Sequence, residues 1–290
     1  MKKMKKIMAA AIAMMTFSTA AAVTGTVAWF TASNVVTASG MSIQADTEQG
    51  INISNESKLE WKESATASHT GKIGENQAAF IPTSTVNGST WYHANSDDRD
   101  SHEAYGAYTT LSVAQNGSTG VYAVTNPDLS ITNKNVYLLN SFYLRASIPT
   151  PVNASKLYVN LVEASATGSN STALNKSLRV LVNYVNNTTI LGSAIFAPFE
   201  DGSATPSELV QYTVGGVDSQ TYTPYNEKNV VLAENVTIPA ASNNSADAAL
   251  EIKVFVYFEG EDANCKSANI PAAVLDTLAL TCKFGTETIA

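Results

Sequence analysis

The chain has little of what marks an enzyme or a nucleic-acid-binding protein. Only 14% of its 290 residues are charged, and it holds three histidines and two cysteines. Two cysteines with no histidine nearby do not make a zinc site, which needs about four ligands. There is no G-x-S-x-G elbow and no glycine loop to cradle phosphate, and no pair of carboxylates can be placed across a cleft from spacing alone. The plentiful serines lack a positioned histidine, so nothing requires catalysis, and neither enzyme activity nor a cofactor is expected. The formal charge is −8, and setting aside the four lysines of Met1–Lys6 takes it to −12. Nucleic acid and anionic membrane surfaces both need a basic footprint, so they are excluded as partners.

The chain opens with Met1–Lys6 (MKKMKK), followed by an apolar run from Ile7 to Phe30. A basic stretch leading into an apolar one is the pattern of an export signal. The run is also long enough to span a bilayer, so a retained anchor is the other reading. Thr26-Val27-Ala28 supplies the small-x-small pattern that signal peptidases cut. Cleavage after Ala28 leaves Trp29 and Phe30 at the new N-terminus, two aromatic rings that need burial. The cut protein is then secreted, extracellular or at the cell surface, and meets the membrane only before cleavage. In an oxidising compartment Cys265 and Cys282 allow one disulfide, worth about 3 kcal/mol for the short loop it closes. Two free thiols are the alternative.

From Val136 onward, short β-branched or aromatic runs are separated by Asn, Ser, Gly and Pro clusters. They are Val136–Pro149, Lys156–Ala164, Ser177–Val185, Thr188–Phe196, Lys228–Pro239, Ala249–Gly260 and Asp276–Thr286. In Ala249–Gly260, Leu250, Ile252, Val254, Val256 and Phe258 share one face, and Glu251, Lys253, Phe255 and Tyr257 the other. Many such strands without helical-period segments between them predict an all-β, antiparallel sandwich with few short helices. The best helix candidate is Ile270–Leu278, with Pro271 suited to a first turn. Between Gln44 and Ser101 a strand near Ile51–Ile53 is expected, followed by a long surface excursion.

One polar constellation stands out, Trp91–Tyr108, with His93, Asp97, Asp98, Asp100, His102 and Glu103. Histidine and carboxylate ligands suit a divalent metal. However, no second histidine follows His102-Glu103 at helical spacing, and the aspartates miss the calcium-loop spacing. An acidic solvated loop is the expected reading, with His93, Asp97, Asp100 and His102 as the weak metal candidates.

Two segments carry a resemblance. The lysine-led signal running into "TVAWFTAS" and then "TASGMSIQAD" resembles the start of the TasA and camelysin family of exported Gram-positive surface proteins. The closing "VFVYFEGEDANCKSANIPAAVLDTLALTCKF" is similar to the last part of such proteins. The family pattern maps the cut onto Ala28 and Trp29, and leads through Ser39-Gly40 into a first strand at Met41, Ile43 and Ala45. The resemblance implies a jelly-roll-like sandwich that assembles into an extracellular fibre of the biofilm matrix or cell surface. Residues 1–28 are then the signal and 29–47 a donor strand carrying Trp29, Phe30, Val35, Met41 and Ile43. Residues 48–290 form a single sandwich domain, with a long insertion at about 54–135. The expected partners are copies of the chain itself, head to tail, the signal peptidase and accessory fibre proteins. Heterologous pairing of this kind does not close, so it propagates into a filament. Two rival readings remain. One is a monomeric adhesin or glycan-binding sandwich that stacks sugars on Trp91, Tyr92, Tyr105 and Tyr108. The other is a camelysin-like metallopeptidase built on His93, His102 and their neighbouring carboxylates. No sortase-type motif lies near Ala290, so any wall attachment is expected to run through assembly or another protein.

Overall fold

The computed structural model describes residues 42–45, 50–69, 80–94, 108–118, 120–127, 129, 131–167, 177–198, 213–214, 217–218, 223–224, 230–241, 249–260 and 277–288. The all-β expectation holds, because every regular element among them is a strand. The first seven are short: β1 (Ser42–Ala45), β2 (Ile51–Asn55), β3 (Ser64–Thr66), β4 (Trp91–Ala94), β5 (Tyr108–Leu111), β6 (Val113–Gln115) and β7 (Val121–Val124). Then come β8 (Asn135–Ala146), β9 (Val152–Thr167), β10 (Leu178–Asn186) and β11 (Thr189–Ala197). The two-residue strands β12 (Thr213–Val214), β13 (Val217–Asp218) and β14 (Thr223–Pro224) precede β15 (Val230–Ile238), β16 (Leu250–Phe258) and β17 (Thr277–Thr288). The seven runs expected after Val136 become β8, β9, β10, β11, β15, β16 and β17. The helix expected over Ile270–Leu278 is corrected at its end. Thr277 and Leu278 open β17, and the rest of that stretch lies outside the described residues.

Two sheets form the sandwich. The five-stranded sheet runs β15-β9-β17-β1-β3, and the eight-stranded sheet follows β14-β11-β10-β16-β8-β7-β6, with β2 also paired to β8. Pairing is antiparallel except for β1 with β17 and β11 with β14. β2 and β7 lie end to end along one edge of β8, against residues 142–146 and 135–138. Edge groups stranded between them must find other partners. Leu139 N donates to Gly120 O at 2.9 Å, and the Asn140 amide bonds both backbone groups of His69, at 2.9 and 3.0 Å. The His69 ring in turn meets Glu56 at 3.0 Å.

The main core lies between the sheets. Leu178, Val180, Val182 and Tyr184 of β10 and Ile252, Val254, Val256 and Phe258 of β16 meet Leu157 and Val159 of β9, with Leu280, Cys282 and Phe284 of β17. The intervening residues of these central strands are buried as well. Leu181, Phe255, Tyr257 and Tyr137 form a second cluster with Ile81, Trp91 and Leu111. Here the structure corrects the expected surface excursion. Phe80–Thr85, Trp91 and His93 are buried; Phe80 joins the core between the sheets, while Ile81 and Trp91 cover the outer face of the eight-stranded sheet as a third layer. The segment lacks a sustained period because it crosses the sheet as a strap. Ile81 N bonds Asn135 O at 2.8 Å, and Thr83 N bonds Phe258 O at 3.0 Å.

The two sheets touch along one side at Gly192. A Cβ there would stand 1.7 Å from the carbonyl oxygen of Leu232. Leu232 is the unpaired residue of a bulge in β15, between Val231 opposite Tyr158 and Ala233 opposite Leu157. The bulge aims its carbonyl across the gap between sheets. Backbone, not a flexible side-chain tip, blocks any larger residue. Gly192→Ala is therefore expected to lower unfolding free energy by about 1–3 kcal/mol, the usual cost of overpacking, read from urea unfolding midpoints. An unchanged midpoint would mean the seam is loose.

Candidate functional site: the slot that holds the first strand

β1 has the sequence Ser-Ile-Gln-Ala and fills a gap between two walls. On one side Ser42, Ile43, Gln44 and Ala45 pair in parallel with Thr281, Cys282, Lys283 and Phe284. On the other, Ser42, Ile43 and Gln44 pair antiparallel with Thr66, Ala65 and Ser64.

The first wall is firm. β17 is held along its whole length by β9, from Thr277 opposite Thr167 to Thr288 opposite Ala154. Leu280, Cys282 and Phe284 anchor it in the core. Near its end the Tyr158 hydroxyl donates to Glu287 at 2.7 Å, and Lys156 Nζ lies 3.0 Å from the same carboxylate. These contacts hold the Glu287 carboxyl below its usual range, with the Tyr158 hydrogen bond the larger cause. The second wall, β3, has only three residues, and the hairpin from β2 pins it. Ile53 and Lys62 exchange backbone hydrogen bonds of 2.7 and 3.0 Å, and Asn55 Nδ2 reaches Thr66 O at 3.2 Å. The turn between them lies against β8, with Lys58 over the Tyr143 ring at 4.0 Å and Arg145 over Trp61 at 4.1 Å. Nothing in the sequence Ser64-Ala65-Thr66 marks a strand, and its pairing with β1 was not foreseen.

β1 covers four of the twelve residues on its side of β17. Thr277–Leu280 and Gly285–Thr288 pair with no described residue on that edge.

Of the residues singled out from sequence, Ile43 lies in this slot, in its own chain, opposite Cys282 and Ala65. Ala28, Trp29, Phe30, Val35 and Met41 lie outside the described residues. Cys282 is a free, buried thiol whose pKa burial pushes up to about 12. Cys265, its candidate bridge partner, lies outside the described residues. The acidic constellation is divided in the same way. His93 is buried in β4 with Nδ1 3.0 Å from the Pro82 carbonyl, so Nδ1–H is the donor there. Asp97, Asp100 and His102 are outside the described residues, and among those described no three His, Cys, Asp or Glu side chains gather as a metal site.

The glycan platform loses its centre. Trp91 is 2% exposed, stacked on Tyr137 at 4.4 Å and edge-on to Tyr257 at 5.0 Å. Its Nε1 donates to Gly88 O at 3.2 Å, so neither face is open to a sugar. Compared with known protein families, with curated proteins and with solved structures, the chain matches none.

Two measurements follow from these placements. Trp91→Ala is expected to cost about 3–5 kcal/mol of stability, the range for emptying a buried aromatic site, read by chemical unfolding. A near-neutral result would reopen Trp91 as a surface ring. For Cys282, the folded chain keeps the proton to about pH 12, whereas an exposed thiol ionises near 9. The neutral thiol's contribution is therefore whole below about pH 9 and is lost as pH rises through that window. Between about pH 8 and about pH 10 the wild type should lose about 1 kcal/mol more than Cys282→Val. Parallel losses would place the thiol in water.

Proposed function

We propose that the chain is a structural subunit of an extracellular fibre, exported, cut after Ala28 and polymerised head to tail by strand exchange. The observation that carries this reading is the slot. A four-residue strand, Ser42–Ala45, sits parallel to β17 and pairs with four of its twelve residues. The register that pairs Ser42 with Thr281, continued in both directions, sets residues 38–47 of a donor segment against residues 277–286. A neighbour's copy has the same sequence, so it fits the same walls and could pair more of the edge than β1 does. Such an exchange uses different surfaces on the two subunits and therefore propagates. Residues 29–37 then project ahead of the ladder, about 30 Å if extended, carrying Trp29, Phe30 and Val35 to be buried on the neighbour. In the uncut precursor the same segment is tethered at the membrane, which restrains assembly until the signal peptidase acts.

Negative-stain electron microscopy of the chain beginning at Trp29, beside the chain beginning at Met41, tests the proposal. Filaments from the longer form alone are the expected outcome, with Ile43→Asp in that form abolishing them. Discrete monomers from both forms would sink the strand-exchange reading.

A further inference from the structure

The tetrapeptide Asn-Gly-Ser-Thr occurs twice, beginning at Asn87 and at Asn116, and the fold surrounds the two glycines differently. An asparagine followed by glycine is chemically vulnerable. With no Cβ in the way, the glycine nitrogen can swing back onto the asparagine side-chain carbonyl carbon.

At the first copy that motion is blocked. Gly88 N donates to Thr85 Oγ1 at 2.8 Å, and Asn87 Oδ1 accepts from Ser89 N and Ser89 Oγ at 3.1 and 2.6 Å. The Asn87 carbonyl takes the Asn183 amide at 2.8 Å, and Trp91 Nε1 holds Gly88 O. The glycine packs so closely that a Cβ would sit 2.8 Å from Leu181 Cδ2. The second copy caps the β6–β7 hairpin. Asn116, Gly117 and Ser118 are all exposed. Gly117 has φ 65°, nothing lies within 4 Å of where its Cβ would be, and no described carbonyl takes its N–H.

We propose that Asn116 is a site of spontaneous deamidation and that Asn87, in the same tetrapeptide, is protected by the fold. The Gly117 nitrogen gives its proton to solvent base and attacks Cγ of Asn116. An N–C bond forms, the Cγ–Nδ2 bond breaks, and ammonia leaves with a proton from water. Water then opens the five-membered imide at one carbonyl or the other, yielding aspartate or isoaspartate. No oxidant, metal or enzyme is required. Either product sets a negative charge beside β6, the outermost strand of the eight-stranded sheet. Charge at a sheet edge opposes pairing with a further strand. Isoaspartate also lengthens the backbone by one methylene beside the Asn116 N to Val121 O bond of 2.7 Å, which loosens a ladder of three residue pairs.

The test is incubation of the folded full chain in mildly alkaline buffer, with peptide mass spectrometry and isoaspartyl-specific methyl transfer at both asparagines. The same incubation in urea removes the fold and leaves the shared tetrapeptide. The expected result is conversion of Asn116 at least about tenfold faster than Asn87 in the folded chain, since Asn87 must wait for local opening, and similar rates for both in urea. Equal rates in the folded chain would overturn the proposal. So would an Asn116 that stays intact when folded, or two rates that remain apart in urea.

Discussion

The structure depends on keeping both faces of one sheet dry. β8, β10 and β16 form the middle of the eight-stranded sheet, and each carries apolar side chains in both directions. One face is met by the five-stranded sheet. The other would present Tyr137, Leu181, Ile195, Phe255 and Tyr257 to water, a patch far larger than a stable monomer leaves open. At about 1.5–3 kcal/mol for each fully buried large side chain, covering it outweighs any local preference of the segment that does so. The strap at Ile81–Thr85 and the β4–β5 hairpin are held there by this demand, with Trp91 as their largest buried side chain.

Covering the face also buries polar groups, some with partners and some, such as the Tyr257 hydroxyl, with no hydrogen-bond partner among the described residues. Glu259 and Arg179 are both inaccessible, and Ser84 of the strap donates its hydroxyl to Glu259. Burial, together with the Glu259 carboxylate, pushes the Tyr257 hydroxyl well above its usual pKa and keeps it neutral. The buried acid, the buried base and the strap hydroxyl sit at one end of the layer, close to where Gly260 N bonds Thr83 O at 3.1 Å. They fix where along the sheet the strap can lie, a choice that apolar contact, being without direction, leaves open.

How much of this could be read from sequence depends on whether the information is local. β10 and β16 carry their own evidence, since a run such as Leu178–Val185 is apolar at nearly every position and alternates across a strand. Ile81, Trp91 and Leu111 carry none. They sit in short stretches with no sustained strand period, and they become core only because a distant sheet needs a cover. β3 is the extreme case, three small residues made into a strand by a neighbour on one side and a pinned hairpin on the other. At Thr277 and Leu278 the helix expectation failed for the opposite reason, because a local signal at Pro271 says nothing about the β9 partner that draws these two residues into β17.

The same contrast between local and distant determinants bears on β1, the strand that the proposed exchange would use. Most strands of the eight-stranded sheet are tied by short connections or by side chains on both faces, and removing one would open a core. β17 is secured by twelve residues of ladder with β9 and by three side chains in the core. β1 has four residues, and the walls of its slot are fixed by contacts in which it takes no part: Tyr158 with Glu287, Asn55 with Thr66, and Arg145 on Trp61. The β17 wall is therefore held without β1, whereas β3 owes its strand form in part to it. Under the proposed exchange, the balance would turn on how much of the β17 edge each occupant covers.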